Sequence, residues 1–209
     1  MQEIQQTSKF LWVGNWAALD FINTDIVVEQ RPVDLLEGSQ DFVQWLGESG
    51  LCRREDLKDN IVPRRLIDDA RAYRGLLRRG IEGYVQQGGL LPRELFLKTN
   101  EILSRNASIR QLLRADKGYR VETRWQFQGC GDYLMPVAES FAKLVTEADV
   151  DRIRKCKNPE CVLYFYDISK GGQRSWCSLD ICGNKLRMAA SRRRSESGEG
   201  KQAGKRDLR

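Results

Sequence analysis

The spacing of four cysteines is the feature that most constrains this chain of 209 residues. Cys156 and Cys161 form one C-x4-C pair, and Cys177 and Cys182 form a second pair after fifteen intervening residues. Two such pairs can share one tetrahedral ion with bonds of about 2.3 Å, because the loop between them returns the second pair to the first. The chain has no histidine, so a zinc site must use sulfur or carboxylate ligands. The spacing therefore predicts a metal site at these four cysteines.

A coincidental spacing and two disulfides are the alternatives for the same cysteines. The start of the chain, "MQEIQQTSKF", lacks a cationic segment followed by an apolar one, and the most apolar stretch is interrupted by Gly14, Asn15 and Asp20. We therefore expect a cytoplasmic protein without a membrane partner, where thiols are mostly reduced. Four thiolates form a closed structural site, whereas catalytic zinc usually keeps an open position. We expect one structural Zn²⁺ per chain, and no role for the isolated Cys52 and Cys130.

The residues around the cysteines indicate a small fold. "VLYFYDIS" resembles a strand, and Gly171-Gly172 predicts a turn into a second short arm that ends at Trp176. We expect this hairpin between the two cysteine pairs, with Cys182 opening a helix whose dipole favours the thiolate. A hairpin and a helix around four ligands describe a treble-clef-like zinc finger.

Positive charge is concentrated behind the finger. Residues 150–209 contain 15 Lys/Arg and 7 Asp/Glu, whereas residues 1–149 contain 20 and 22. A localised positive surface attracts polyanions such as nucleic acid. Asn184 would read adenine and the cations would bind phosphates or guanine, although a solvated helix end is the alternative. The expected DNA-binding residues are Arg174, Asn184, Lys185, Arg187, Arg192, Arg193 and Arg194.

Helical periodicity dominates the chain before residue 150. After Pro63 a long helix is predicted, and further helices are predicted with Ser39 as N-cap, after Pro92, and with Pro136 in the first turn. The apolar stripe of the long helix consists of Leu66, Ala70, Tyr73, Leu77, Ile81 and Tyr84. The segment is therefore predicted to be mainly helical.

One strong strand signal interrupts the helices. In "YRVETRWQF" apolar or aromatic residues alternate with polar ones, which predicts the second arm of a hairpin that turns at 116–118 and buries one face. "QRPVD", residues 30–34, is predicted as a turn around Pro32. Together these elements predict an α+β chain: a mainly helical N-terminal domain with a β-hairpin, followed by the small four-cysteine finger.

The N-terminal segment contains no recognisable catalytic motif, so we do not expect an enzyme. Asp20, Asn23 and Thr24 in "LDFINT" could line a ligand pocket among nearby aromatic residues. The alternative is that they cap a helix and satisfy backbone groups.

Two groups of motifs resemble known families. "CGNK" at Cys182–Lys185, preceded by "FYDIS", "RSWC" and the C-x4-C pairs, resembles the CGNR zinc finger, with lysine in place of the final arginine. "GNWAALDFINT" at 14–24 and "FVQWLGESGL" at 42–51 resemble the ABATE domain, which is described as a stress-induced transcription regulator and usually precedes this finger. The resemblance implies zinc at the four cysteines and DNA binding by the basic residues. Lys185 keeps the charge but loses the bidentate geometry, and Ser175 interrupts what is often Arg-Arg-Trp.

These observations lead to one interpretation of the whole chain. Residues 1–149 are expected to form the ABATE-like domain, 150–194 the finger with its basic helix, and 195–209 a disordered basic tail. We expect a zinc-dependent DNA-binding transcription regulator of the stress response, with an N-terminal domain that senses a small-molecule effector or forms a homodimer. The alternative is a zinc-stabilised module that binds protein or RNA without specific DNA recognition.

Overall fold

A computed structural model describes residues 8–57, 62–105 and 107–183. Before residue 149 these residues are mainly helical, as predicted. The helices are Ala17–Ile22 (α1), Ser39–Glu48 (α2), Arg54–Leu57 (α3), Leu66–Gln86 (α4), Arg93–Leu103 (α5) and Cys130–Glu147 (α6). No helix in these three ranges is both long enough and apolar enough to cross a membrane.

The long helix α4 forms the centre of the domain. All six residues of its predicted apolar stripe are buried, which confirms the periodicity. Gly80 lies where α5 crosses α4, and a Cβ at this position would lie 2.1 Å from Leu95 Cδ2. The glycine that weakens the isolated helix therefore permits the close approach of its neighbour.

The strands form three antiparallel hairpins in the described part of the chain: Asp25–Val28 (β1) with Arg31–Asp34 (β2), Ser108–Arg114 (β3) with Tyr119–Trp125 (β4), and Ile153–Lys155 (β5) with Tyr164–Tyr166 (β6). The helices and hairpins together confirm the α+β class. The β3–β4 hairpin turns near Gly118, as the alternating pattern predicts.

The expected turn around Pro32 is wrong, because Pro32 lies inside β2 and pairs with Val27. The chain reverses two residues earlier, at Glu29 and Gln30, whose φ angles are 49° and 64°. Two consecutive positive φ angles give a two-residue turn whose twist suits an antiparallel hairpin. In a two-stranded hairpin each strand is an edge, where proline is tolerated.

Two helix starts also differ from prediction. Gly38, and not Ser39, is the N-cap of α2, and its N–H donates to the Asp41 carboxylate at 2.8 Å. Helix α6 begins at Cys130, so Pro136 lies inside it and not in its first turn. The N–H of Gly129, the N-cap, donates to the Asp132 carboxylate at 2.9 Å, and this bond stabilises the helix start at Cys130.

The prediction that one face of the β3–β4 hairpin is buried holds only at its base. Trp125 is 7% exposed and donates from Nε1 to the Leu51 carbonyl at 2.8 Å. Tyr119 and Val121, on the same face, are 71% and 64% exposed. The outer half of the hairpin therefore lacks the apolar cover that period-two alternation usually indicates.

Candidate metal centre

The sulfur atoms of Cys156, Cys161, Cys177 and Cys182 all lie within 4.8 Å of one another. Cys161 Sγ is 3.8 Å from Cys177 Sγ, which is 3.6 Å from Cys182 Sγ. Zinc–sulfur bonds of about 2.3 Å in a tetrahedron require sulfur–sulfur edges of about 3.8 Å. Two of the sulfur–sulfur distances therefore match a tetrahedral thiolate site, and all four predicted ligands lie close enough together to share one ion.

The same sulfur–sulfur distances exclude the alternative of two disulfides. All four cysteines are free thiols, and the sulfur atoms are too far apart for covalent S–S bonds of about 2.05 Å. Three of the thiols are buried and Cys161 is partly buried. The arrangement is that of a closed metal site and not of a pair of cross-links.

Electrostatics explains why this cluster suits a cation. Hydrogen bonds from Cys161 and Cys177 lower the pKa of Cys156 well below the ordinary thiol value. The same contacts raise the pKa values of Cys161 and Cys177, because a second thiolate would lie beside the first. A dipositive ion removes this conflict and allows all four sulfurs to be thiolates.

The first cysteine pair lies in the loop of the β5–β6 hairpin. The sequence instead predicts a hairpin between the two pairs, and that prediction is wrong: β6 pairs with β5, which precedes Cys156. Beyond β6 the chain bends at Asp167, whose carboxylate accepts hydrogen bonds from the N–H groups of Ser169 and Arg174 at 2.9 and 2.7 Å. These bonds hold residues 167–174 in a turn, where the sequence predicts a second arm paired with β6.

The second cysteine pair is held by a short helical turn. This turn runs from Leu179 to Gly183, so Cys182 lies inside it and does not open it as predicted. Backbone bonds from Cys182 and Gly183 return to the Ser178 carbonyl at 3.2 and 3.0 Å. The residues after Gly183 lie outside the described part of the chain.

N–H groups of the surrounding chain donate to the sulfurs, and sequence reasoning identified none of them. The backbone N–H of Cys177 lies 3.4 Å from Cys156 Sγ, and Asn158 Nδ2 lies 3.3 Å from Cys182 Sγ. The side-chain oxygen of Asn158 also accepts from the Glu160 N–H, which fixes the loop between Cys156 and Cys161. N–H donors stabilise thiolate charge, so these groups support a metal-bound state. An asparagine inside the C-x4-C loop is typical of an Asx turn, and this is the sequence signal by which Asn158 could have been found.

Polar side chains of the N-terminal domain hold the finger in place. Asn23 is buried and pairs with the backbone of Tyr164 in both directions: Nδ2 donates to the carbonyl at 2.8 Å, and Oδ1 accepts from the N–H at 2.9 Å. The Tyr166 N–H donates to the Gly14 carbonyl at 2.8 Å. Strand β6 is therefore paired with β5 on one edge and with N-terminal groups on the other.

Asp20 and Thr24 lie beside Asn23 and also bind groups of the chain itself. Asp20 Oδ1 accepts from the N–H groups of Val13 and Gly14 at 2.9 and 2.7 Å. Thr24 Oγ1 donates to the Phe21 carbonyl at 2.7 Å and accepts from Arg74 at 2.9 Å. These contacts are the backbone-satisfying role considered above, and the ligand pocket at these residues stays a prediction.

Arg174, one of the expected DNA contacts, is half-buried and packs against groups of the finger itself. Its guanidinium lies 4.3 Å from the centre of the Phe165 ring, and Nε donates to the Trp176 carbonyl at 2.9 Å. Nη2 donates to the carbonyls of Val13 and Cys177. The structure thus uses this arginine to join the finger to the N-terminal segment. The other expected contacts, Asn184 to Arg194, lie outside the described residues.

Exposed lysines lie on the described part of the finger. They are Lys155, Lys157 and Lys170, and none of them has an ion-pair partner within the described ranges. Lysines without carboxylate partners are available to bind anionic groups.

The fold and the site define a class of protein: a four-cysteine finger packed against a helical domain. Residues 15–148 match the ABATE family model, described as "Putative stress-induced transcription regulator", and residues 152–195 match the CGNR zinc finger model. Since the first match covers more than half of the sequence, the chain belongs to the ABATE family, and it carries a CGNR zinc finger. No curated protein matches the chain.

Proposed function

We propose that the chain is a zinc-dependent transcription regulator that binds DNA through its finger. The observation that carries the proposal is the close clustering of four thiols inside a segment that matches a zinc-finger family. One Zn²⁺ bound by all four cysteines would have no open position, so its role is structural. In small zinc-finger peptides such binding supplies on the order of 10–16 kcal/mol of folding free energy.

Native mass spectrometry of the full chain tests the metal. We expect one zinc per chain in the wild type and none in Cys177→Ala/Cys182→Ala. The matched control is Cys52→Ala/Cys130→Ala, which removes two thiols that lie outside the cluster. Zinc retained by the first variant, or lost from the second, would contradict the ligand assignment.

Charge supports a nucleic-acid partner. The segment 150–209 carries the 15 cations and 7 acids counted above, and the lysines on its described part lack carboxylate partners. Cations that neutralise phosphates release counterions, so DNA affinity falls with salt by about 0.9 log units per contact per log unit of salt. DNA binding by this segment would therefore be strongly salt-dependent.

Fluorescence anisotropy with duplex DNA at several salt concentrations tests this partner. Arg192→Ala/Arg193→Ala/Arg194→Ala should weaken binding at least about tenfold and reduce the salt slope by up to about 3. The control is Arg54→Ala/Arg93→Ala/Lys143→Ala, which removes the same charge from exposed positions outside the finger. Equal affinities of the two variants would reject DNA binding at these arginines.

Single-stranded RNA in the same assay examines the alternative function. An RNA affinity that exceeds the duplex DNA affinity at every salt concentration would favour the RNA-interaction module. Effector binding and homodimer formation by the N-terminal domain stay predictions, and sedimentation velocity of the zinc-loaded chain measures the second.

A further inference from the structure

The β3–β4 hairpin, residues 108–125, is a second positive element of this molecule. It contains five Lys/Arg and two Asp/Glu, whereas the rest of residues 1–149 contains 15 and 20. The hairpin is therefore basic although the domain that carries it is acidic. A net charge of this kind, confined to one projecting element, indicates an anionic partner.

The strand register places the charges on one face. Arg110 is opposite Thr123, Leu112 is opposite Val121, and Arg114 is opposite Tyr119, so these side chains share a face that carries no carboxylate. Glu122 lies on the other face, where it pairs with Arg53 and with Arg120. The one acidic and two basic groups that neutralise each other are therefore separated from Arg110 and Arg114.

The outer half of this face is open to solvent. Leu112, Val121 and Tyr119 are 68%, 64% and 71% exposed, and Arg110, Arg114 and Lys117 are exposed as well. In the part of the chain that the structure describes, none of these three cations lies within ion-pair distance of a carboxylate. Exposed aromatic and aliphatic side chains between unpaired cations suit a partner with anionic and apolar surfaces together.

We propose that the β3–β4 hairpin is a second DNA-binding element, in which Arg110, Arg114 and Lys117 bind phosphates of the duplex that the finger engages. The inference rests on the proposed DNA-binding function. Each strand has seven residues, which gives a length of about 20 Å at roughly 3.3 Å per residue. A two-stranded ribbon is one of the two elements that the major groove, about 12 Å wide, admits. Leu112, Val121 and Tyr119 could then contact thymine methyl groups or sugars.

Self-association through the same face is disfavoured by charge. Stacking two copies would bring Arg110 and Arg114 of each chain near those of the other, without a carboxylate on the face to offset them. Like charges placed directly opposite destabilise such a contact. The excess of positive charge thus favours DNA over a second copy of this chain.

The test compares three variants of the zinc-loaded full chain in the duplex DNA anisotropy assay. They are Arg110→Ala/Arg114→Ala/Lys117→Ala in the hairpin, Arg192→Ala/Arg193→Ala/Arg194→Ala behind the finger, and the control Arg54→Ala/Arg93→Ala/Lys143→Ala. We expect the hairpin variant to bind at least about tenfold more weakly than the control and to lower the salt slope by up to about 3. Since the three variants lose the same charge, a difference from the control reflects position and not net charge.

The outcomes separate the hairpin from the finger. A hairpin variant that binds like the control overturns this inference, and a weakened finger variant in that experiment leaves the proposed function intact. If neither variant differs from the control, both proposals are wrong. If only the hairpin variant is weakened, the hairpin contacts are supported and the proposed DNA contacts of Arg192, Arg193 and Arg194 are wrong.

A further arm separates DNA from an acidic protein partner. Poly-glutamate is titrated as competitor, and circular dichroism confirms that the hairpin variant keeps its helical content. If poly-glutamate at equal charge concentration displaces DNA from the wild type but not from the hairpin variant, the hairpin recognises anions in general and the DNA assignment fails. A sedimentation coefficient that falls from dimer to monomer in the hairpin variant without DNA would identify the face as a homodimer contact, and would also overturn the inference.

Discussion

Asn158 is a side chain outside the four cysteines that donates to one of their sulfurs. Its amide donates to Cys182 Sγ, and its oxygen holds the Glu160 N–H, so one residue supports both the charge and the loop. In Asn158→Asp the oxygen remains while a carboxylate replaces the donor beside a thiolate. We expect zinc affinity to fall about 10- to 100-fold, as for other residues that support metal ligands.

Competition with a chromophoric zinc chelator at neutral pH measures this loss. Asn158→Ala removes both bonds without adding a charge and should lose less affinity than Asn158→Asp. If the two variants retain wild-type zinc affinity, the N–H···S bond has no role in the site.

Asp20 is a buried carboxyl at the joint between finger and domain, and its ionisation should affect stability. Burial raises the pKa of Asp20 from its ordinary value of 3.8 to about 6, although the N–H groups of Gly14 and Val13 oppose the shift. Between pH 4 and 6 the folded chain therefore binds more protons at Asp20 than the unfolded chain does. The contribution of this group to stability is greatest below about pH 4 and falls as pH rises to about 6, by up to about 3 kcal/mol.

Asp20→Asn should remove that fall, because an amide oxygen can accept both backbone hydrogen bonds without becoming charged. Urea unfolding measures the unfolding free energies of wild type and variant at pH 4.5 and at pH 7. The difference between the two proteins is then compared at the two pH values, so that a loss of metal at low pH, which affects both proteins, cancels. The variant should be the more stable of the two at pH 7. A pH-independent difference would show that Asp20 does not titrate in this range.

At the residue scale, sequence reasoning found the groups that share a regular spacing. The four cysteines are visible as two C-x4-C pairs, and their sulfurs do come together. The partners of Asp20, Asn23 and Arg174 are backbone groups, some near in sequence, such as Gly14 for Asp20, and some far away, such as Tyr164 for Asn23. A bond to a backbone group leaves no side-chain pattern at the other end, so no sequence spacing predicts it.

At the scale of elements, the periodicity of the sequence predicts which helices and strands exist better than it predicts which strands pair. The stripe of α4 and the alternation of β4 correctly indicated a helix and a hairpin, because each pattern lies within one element. Strand β5 has only three residues, Ile153–Lys155, and is too short for alternation to reveal it. The pairing of β6 was consequently assigned to the wrong neighbour.

Gly14 lies where α1 packs closely against the segment before it and where that segment bonds to β6. A side chain at this position has no room. A Cβ on Gly14 would lie 2.8 Å from Leu19 Cβ and 2.9 Å from the Asp20 backbone nitrogen, which are rigid atoms. Gly14→Ala should shift the backbone, disturb the bond from Tyr166 to Gly14, and cost about 1–3 kcal/mol. In the control Gly171→Ala the nearest atom to the new Cβ is 4.0 Å away.

Chemical denaturation of the two alanine variants measures the difference in their unfolding free energies. Hydrogen exchange at the Tyr166 N–H localises the effect, since this amide should lose protection in Gly14→Ala and keep it in Gly171→Ala. Equal stability of both variants would mean that the segment around Gly14 moves freely enough to accept a side chain.

On the scale of the whole molecule, the finger and the helical domain share their packing. Ile153 and Tyr164, on β5 and β6, belong to the same buried cluster as the core of α1, α4 and α6. Conversely, three residues of the N-terminal segment pack against the cysteine cluster of the finger: Leu11, Val13 and Ile26. The composition change near Val150 separates two segments of sequence, but their apolar cores are interleaved in space.

This shared packing predicts that zinc stabilises the whole chain and not the finger alone. Removing the metal would remove the bonds that link the loop between β5 and β6 to Cys177 and Cys182, so β5 and β6 should loosen and expose Ile153 and Tyr164. If about 5 kcal/mol of stability is lost, the melting temperature should fall by about 10–20 °C for a chain of this size. The ring of Trp16 contacts the Tyr166 ring edge-on, with 6.2 Å between centroids. Its fluorescence should therefore respond when β6 separates from the N-terminal segment.

Thermal unfolding with and without a strong chelator, followed by circular dichroism at 222 nm and by tryptophan fluorescence, makes the measurement. Coincident transitions that shift together on chelation are expected, and readdition of zinc should restore both. Cys52→Ala/Cys130→Ala should respond as the wild type does, because its four clustered thiols are intact. A helical transition that keeps its temperature after chelation would show that the N-terminal domain folds independently of the metal centre, and that the contacts at Asn23 and Gly14 join two units of separate stability.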